Sequence, residues 1–164
     1  LKKLVSLRYD VPQVAITGGI AMEDQVFKAL ALGAPHITLV GIGRAAMAAA
    51  MTGKQISELI EAGNTPKEFE SYGQTVETIF ENYKVLQAEY GERVHTFSPG
   101  AVGVHSYLER ISVGLRQLMA LNRKFELKYL SNDDLIAMTE ISQKITHLDS
   151  LETKLSKELS SMTK

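Results

Sequence analysis

Two short β-branched runs, each stopped by glycine, constrain the fold of this chain more than any other feature. Val14 to Thr17 ends at Gly18-Gly19, and Ile37 to Val40 ends at Gly41. The first run is apolar without alternation, which predicts a strand that is buried on both faces. The spacing of the two runs predicts one right-handed crossover unit with two parallel strands.

A helix signal follows each run. Glu23 and Asp24 suit the first turn of a helix, because carboxylates favour the positive end of the helix dipole. Gly33 is placed to end that helix in a left-handed conformation. From Arg44 to Met51 the residues are small and favour a second helix. The first fifty residues therefore predict the order strand, helix, strand, helix.

From Gly53 onward the pattern is almost entirely helical. Apolar residues recur at helical spacing in four segments, which predicts a mainly helical extension. A capping box of Ser131 and Asp134 predicts the start of the third of these helices. The segments run from Val76 to Tyr90, Val104 to Met119, Leu135 to Leu148 and Leu151 to Met162.

Two parallel strands do not form a stable sheet by themselves, because parallel sheets need more strands and cover on both faces. We therefore expect the chain to be the C-terminal fragment of a larger α/β fold. The alternatives are that another chain supplies the missing strands, or that helices alone cover the pair. On this basis we divide the chain into residues 1–53, with the terminal βα units, and residues 54–164, the helical extension.

Composition narrows the classes of function. The 164 residues suit one domain, and the net charge of −1 argues against a nucleic-acid partner. The absence of cysteine excludes disulfides, thiolate zinc sites and iron–sulfur clusters. The longest apolar stretch, Ala45 to Met51, is too short to cross a bilayer, and we expect no membrane partner. A soluble, cytoplasmic protein is the expectation.

The glycines after the strands form a candidate phosphate site. Glycine lets the backbone approach a ligand, and the helix that follows offers free N–H groups. Gly18, Gly19, Gly41 and Gly43 would converge at one sheet edge, where Arg44 adds a bidentate cation. In (β/α)₈ barrels the loops after strands seven and eight commonly bind phosphate in this way. Tight βα turns remain the alternative explanation, because glycine is also the ordinary turn residue.

Other site types fit less well. Gly41-Ile42-Gly43 lacks the third glycine of a dinucleotide fingerprint. His95 and His105 lack a third ligand at a suitable spacing, so we predict no metal site. His36 precedes a strand, and we interpret it as structural.

Three segments resemble the last two βα units of FMN-dependent barrel oxidoreductases: Thr17-Gly18-Gly19-Ile20, residues 27–34 and Gly41-Ile42-Gly43-Arg44. Two downstream segments resemble the C-terminal region of stand-alone FMN-binding glutamate-synthase-like proteins: residues 97–104 and residues 114–125. The resemblance covers residues 11–148, and it is more specific for the flavin barrel than for the glutamate-synthase branch.

The resemblance implies a TIM-barrel fragment whose Gly18, Gly19, Gly41, Gly43 and Arg44 hold the FMN phosphate. It implies an oxidoreductase that forms glutamate from 2-oxoglutarate and glutamine-derived ammonia. The chain departs from glutamate synthases in having no cysteine-rich stretch for an iron–sulfur cluster. Residues that grip the flavin ring and the 2-oxo acid would lie on earlier strands, so the catalytic residues are unknown and the chain alone is expected to be inactive.

Two other functions stay open. The chain could belong to another FMN barrel enzyme, such as a hydroxy-acid oxidase. Residues 54–164 could instead act as a non-catalytic helical interaction module. In either case the open sides of a two-stranded sheet predict that the chain associates with a partner. The partner would be the remainder of the barrel or another copy of the chain, and we expect a homo-oligomer.

Overall fold

A computed structural model describes residues 2–10, 13–80 and 82–162. The described part is mainly helical and contains one parallel sheet of two strands. The strands are β1 (Val14–Thr17) and β2 (Ile37–Gly41). The helices are α1 (Lys2–Ser6), α2 (Glu23–Gly33), α3 (Arg44–Glu61), α4 (Lys67–Glu70), α5 (Val76–Ile79), α6 (Tyr83–Tyr90), α7 (Pro99–Leu121), α8 (Glu140–Thr146) and α9 (Leu151–Met162). Short 3₁₀ helices cover Gly91–Thr96, Leu127–Tyr129 and Asn132–Asp134.

The contacts divide the chain into two compact units. The first comprises described residues 2–10, 13–17, 24–41 and 115–162, and the second comprises residues 18–23, 42–80 and 82–114. Helix α3 runs without a break across residue 53. The division at residue 53 rests on the sequence pattern and stays a prediction.

The first unit contains the predicted parallel pair. Strands β1 and β2 pair in parallel, with Ile16 opposite Val40 and Thr17 opposite Gly41. Helix α2 joins them in sequence and carries four of the buried apolar side chains of this unit, which are Val26, Phe27, Leu30 and Ala31. The strand–helix–strand–helix order is thereby confirmed. Membership in a barrel stays a prediction.

The expectation that β1 is buried on both faces is wrong for this chain. Along β1, half-buried residues alternate with exposed ones, and Leu39 in β2 is 56% exposed. The physical reason is that a single connecting helix covers at most one face of a strand pair. An apolar run without alternation therefore predicts that a strand forms, but it does not predict which faces of the strand are buried.

Gly33 ends α2 as predicted, but not in the left-handed conformation. It is absent from the residues of positive φ in the described chain. A Cβ at this position would lie 2.5 Å from Cβ of Ile37, at the start of β2. Close approach of the chain, rather than a left-handed cap, is what requires glycine here.

The second unit is built around a small apolar cluster. Its buried members are Tyr83, Leu86, Val94 and Val102, with Val76, Phe80 and Phe97 packed against them. The apolar spacing from Val76 to Tyr90 predicts one helix, but the structure has two, α5 and α6. The helix is interrupted because Phe80 takes an extended backbone, with φ −90° and ψ 94°.

The capping box of Ser131 and Asp134 is confirmed, but the helix predicted to begin directly behind it starts only at Glu140. Ser131 accepts from the N–H of Asp133, and Asp134 accepts from the N–H of Ser131. The cap serves only the 3₁₀ helix Asn132–Asp134, because Leu135 is extended. Helix α8 begins at Glu140 behind a second box, formed by Thr139 and Ser142. The final helix, α9, is confirmed.

Candidate phosphate-binding site

The two strands end side by side. Thr17 and Gly41 are the last pair of the parallel register, and the Thr17 hydroxyl donates to the Gly41 carbonyl at 3.1 Å. A Cβ on Gly41 would lie 3.1 Å from the Thr17 side chain. Gly41 is therefore explained by close approach of the strands within the first unit. Its role toward a phosphate stays a prediction.

Gly18 and Gly19 follow β1 and belong to the second unit. Their φ angles are +115° and +69°, which non-glycine residues rarely adopt. A Cβ on either residue would meet no atom within 4 Å. Backbone conformation, and not crowding, requires glycine here, and the space in front of this backbone is open.

Gly43 and Arg44 form the corresponding corner after β2, also in the second unit. Helix α3 begins at Arg44, and the N–H of Met47 donates to the Gly43 carbonyl at 3.1 Å. The N–H groups of Arg44, Ala45 and Ala46 consequently have no partner inside the helix. A Cβ on Gly43 would meet nothing within 4 Å. Within the described part of the chain, this corner therefore offers backbone donors that no helical hydrogen bond uses, with open space beside them.

The charges at the two helix starts differ. The first turn of α3 contains no acidic residue. Arg44 is exposed, and it forms no ion pair with any residue that the structure describes. The first turn of α2 instead carries Glu23 and Asp24. Asp24 pairs with Lys28 at 2.7 Å, and that bond lowers the pKa of Asp24. The start of α3 therefore favours an anion more than the start of α2 does.

Helix α7 anchors the segment that follows Gly18 and Gly19. The Tyr107 hydroxyl donates to the Ala21 carbonyl at 2.7 Å, and an Arg110 nitrogen lies 3.9 Å from Glu23 Oε2. The sequence patterns do not predict this contact. The signal was present in the helical spacing of Tyr107, Arg110 and Gly114, but nothing local in the sequence indicates what that face touches.

His95 makes two polar contacts with neighbouring residues. His95 Nδ1 lies 3.2 Å from the Tyr83 hydroxyl, and its Nε2 lies 3.7 Å from the Glu92 carboxylate. Over the ranges that the structure describes, no group of three or more potential metal ligands occurs among His, Asp and Glu. His95 is accounted for by its tyrosine and glutamate neighbours.

A cavity of about 200 Å³ lies in the first unit. Its lining includes Leu30, Pro35, Ile37 and Leu130 and is mainly apolar. None of Gly18, Gly19, Gly41, Gly43 and Arg44 lines it. This cavity is therefore separate from the predicted phosphate residues.

Comparisons with models of known protein families, with curated proteins and with solved structures find no match to this chain. Among the described helices, none combines the length and apolar character needed to cross a membrane.

Proposed function

We propose that this chain is part of an FMN-dependent oxidoreductase of the glutamate-synthase type and supplies its flavin phosphate-binding loops. The observation that carries the proposal is the corner at Gly43–Arg44. Here the N–H groups at the start of α3, which no helical hydrogen bond uses, lie beside open space and the exposed Arg44 guanidinium. The first turn of α3 contains no carboxylate. A phosphate monoester needs hydrogen-bond donors and positive charge together. The open, positive-φ backbone of Gly18 and Gly19 fits the same ligand.

Each proposed residue has a distinct task. The N–H groups at the start of α3 donate to phosphate oxygens, and Arg44 neutralises part of their charge. Gly18 and Gly19 keep side chains out of the space next to the phosphate. When bound, FMN supplies electron transfer through its isoalloxazine ring. Gly41 belongs to the first unit, and its assignment to the phosphate rests on the sequence alone.

The proposed reaction forms glutamate and water from 2-oxoglutarate, ammonia released from glutamine, two electrons and two protons. Reduced FMN, when bound, would supply the two electrons. This assignment follows from the resemblance of residues 97–104 and 114–125 to glutamate-synthase-like proteins. No catalytic residue is proposed within the chain. Another FMN barrel activity, such as hydroxy-acid oxidation, would use the same phosphate loops. The two activities are distinguished by comparing the turnover of 2-oxoglutarate and glutamine with the turnover of 2-hydroxy acids.

The test is the affinity of the full-length protein for FMN and for riboflavin, which lacks the phosphate. We expect Arg44→Ala to weaken FMN binding roughly 10- to 150-fold, the equivalent of about 1.5–3 kcal/mol for a charged hydrogen bond, and to leave riboflavin binding unchanged. Arg93→Ala is the matched control, because Arg93 is also exposed and lies in the same unit. Unchanged FMN affinity in Arg44→Ala would remove Arg44 from the site.

A second candidate function is a helical interaction or oligomerisation module. It is favoured by exposed apolar side chains in the last two helices: Ile141 is 70% exposed, Ile145 is 72% and Leu155 is 50%. Sedimentation of the chain over a range of concentrations tests this function. We expect self-association that Leu155→Glu weakens and that the neighbouring control Ser156→Glu does not. A chain that stays monomeric at high concentration would contradict the module.

A further inference from the structure

Tyr107 connects α7 to the segment just beyond the glycine loop. Its hydroxyl donates to the Ala21 carbonyl at 2.7 Å, across 86 residues of sequence. The tyrosine is partly buried, and burial raises its pKa above the ordinary value, with Glu23 adding to the rise and Arg110 opposing it. The hydroxyl therefore remains a proton donor throughout the neutral pH range.

The next turns of α7 hold the next residues of the segment. Arg110 places one nitrogen 3.9 Å from Met22 Sδ and another 3.9 Å from Glu23 Oε2. One turn further, a Cβ on Gly114 would lie 2.6 Å from Cγ of Glu23, so the backbone of α7 lies directly against this side chain. One face of a single helix thus contacts the three consecutive residues 21 to 23.

The same helix also contacts α3. A Cβ on Gly53 would lie 2.6 Å from the Pro99 carbonyl oxygen, and one on Gly103 would lie 2.6 Å from the Ala49 carbonyl oxygen. Helix α7 therefore contacts both the segment after Gly18 and Gly19 and the helix that begins at Arg44.

We propose that Tyr107 is a positioning residue for the phosphate site, because its hydrogen bond to Ala21 fixes the segment that follows Gly18 and Gly19 relative to the start of α3. This inference rests on the proposed function. Tyr107 itself donates to protein and not to the phosphate. Its hydrogen bond orders the loop before the ligand arrives. Binding of the ligand therefore does not have to supply the free energy of ordering the loop.

The experiment uses the full-length protein with Tyr107→Phe, which keeps the ring and removes only the hydroxyl. Hydrogen exchange is measured first, without flavin. We expect the amides of residues 18–24 to exchange roughly two- to tenfold faster, the range for the loss of one hydrogen bond. Tyr72→Phe is the matched control, because Tyr72 lies in the same unit and is 66% exposed. Unchanged exchange in Tyr107→Phe overturns the inference.

Binding of FMN and of riboflavin is then compared, with Arg44→Ala alongside. We expect Tyr107→Phe to weaken FMN binding roughly two- to tenfold and to leave riboflavin binding unchanged. A loss shared equally by FMN and riboflavin indicates a general structural effect and overturns the inference. A third outcome is that Arg44→Ala weakens FMN binding and Tyr107→Phe leaves it unchanged. That result overturns the inference but keeps the phosphate site. A wild-type protein without preference for FMN over riboflavin overturns both.

Discussion

Gly53 of α3 and Gly103 of α7 bring two helix backbones into direct contact. A Cβ built on Gly53 would lie 3.1 Å from the Cα of Gly103, closer than ordinary van der Waals contact. Both residues belong to the second unit, and Gly53 is buried. Because the opposing atoms are backbone, neither helix can relieve a clash by rotating a side chain.

Gly103→Ala is expected to lower the free energy of unfolding by about 1–3 kcal/mol, the usual cost of overpacking, even though alanine favours a helix by about 1 kcal/mol. Urea unfolding followed by circular dichroism measures the change. Val113→Ala on the same helix serves as control, because Val113 is 44% exposed, and should change stability by no more than about 0.5 kcal/mol. Equal stability of Gly103→Ala and the wild type would refute the close contact.

The glycine loop permits a test of backbone conformation separate from packing. Gly19 has φ +69° with open space around it, so Gly19→Ala should destabilise the chain by about 1–2 kcal/mol through backbone strain alone. Gly19→Asn should cost less, because asparagine tolerates the left-handed region.

Gly43→Ala is the matched control for Gly19→Ala. Gly43 is equally open, but its φ is −105°, so alanine should leave the urea midpoint unchanged or slightly raised. A similar loss of stability at both positions would contradict the assignment of strain to Gly19.

Local signals in the sequence predicted the first two strands and the helices that follow them. Glycines end both strands, and Glu23 and Asp24 mark the start of α2; each signal acts within a few residues of its effect. The contact between Tyr107 and Ala21 spans 86 residues and has no local signature. Local signals therefore predict the glycines at the strand ends, whereas no local signal predicts the contact that Tyr107 makes from α7. The role of these glycines toward a phosphate stays a prediction.

The region after Ser131 shows where local signals mislead. The capping box at Ser131 forms, but it is followed by extended residues instead of a helix. The periodic residues Met138 and Ile141 are 87% and 70% exposed. Because these side chains are not buried in the described chain, tertiary packing does not stabilise a longer helix here. Periodicity predicts an apolar face, and tertiary burial decides whether the helix extends along it.

The capping boxes at Ser131 and at Thr139 should differ in what they stabilise. Thr139→Ala removes the cap of α8, whose Thr139 hydroxyl accepts from the Ser142 N–H at 3.1 Å, and should cost about 1 kcal/mol. Ser131→Ala should leave the exchange of α8 amides unchanged, because Ser131 caps only the preceding 3₁₀ helix. Hydrogen exchange of residues 140–146 in both variants measures the difference. Faster α8 exchange in Ser131→Ala would indicate that the two caps act together.

The buried Tyr83 predicts a loss of stability in alkali. Burial, together with the nearby Glu77 and Glu92 carboxylates, raises the pKa of Tyr83 above its ordinary value near 10. Below about pH 10 the hydroxyl is protonated in both states, and its contribution to stability is fully present. As pH rises further, the unfolded chain releases this proton first, so the contribution is lost through the folded-state pKa.

Urea unfolding of the wild type and Tyr83→Phe between neutral pH and pH 11 tests this linkage. At neutral pH we expect Tyr83→Phe to be less stable by about 0.5–1.5 kcal/mol, because it loses the hydrogen bond to His95. That difference should shrink above pH 10, since phenylalanine has no proton to release. Tyr72→Phe, at an exposed site, should follow the wild type throughout. A wild-type advantage that stays constant up to pH 11 would mean that the pKa of Tyr83 is not raised by folding.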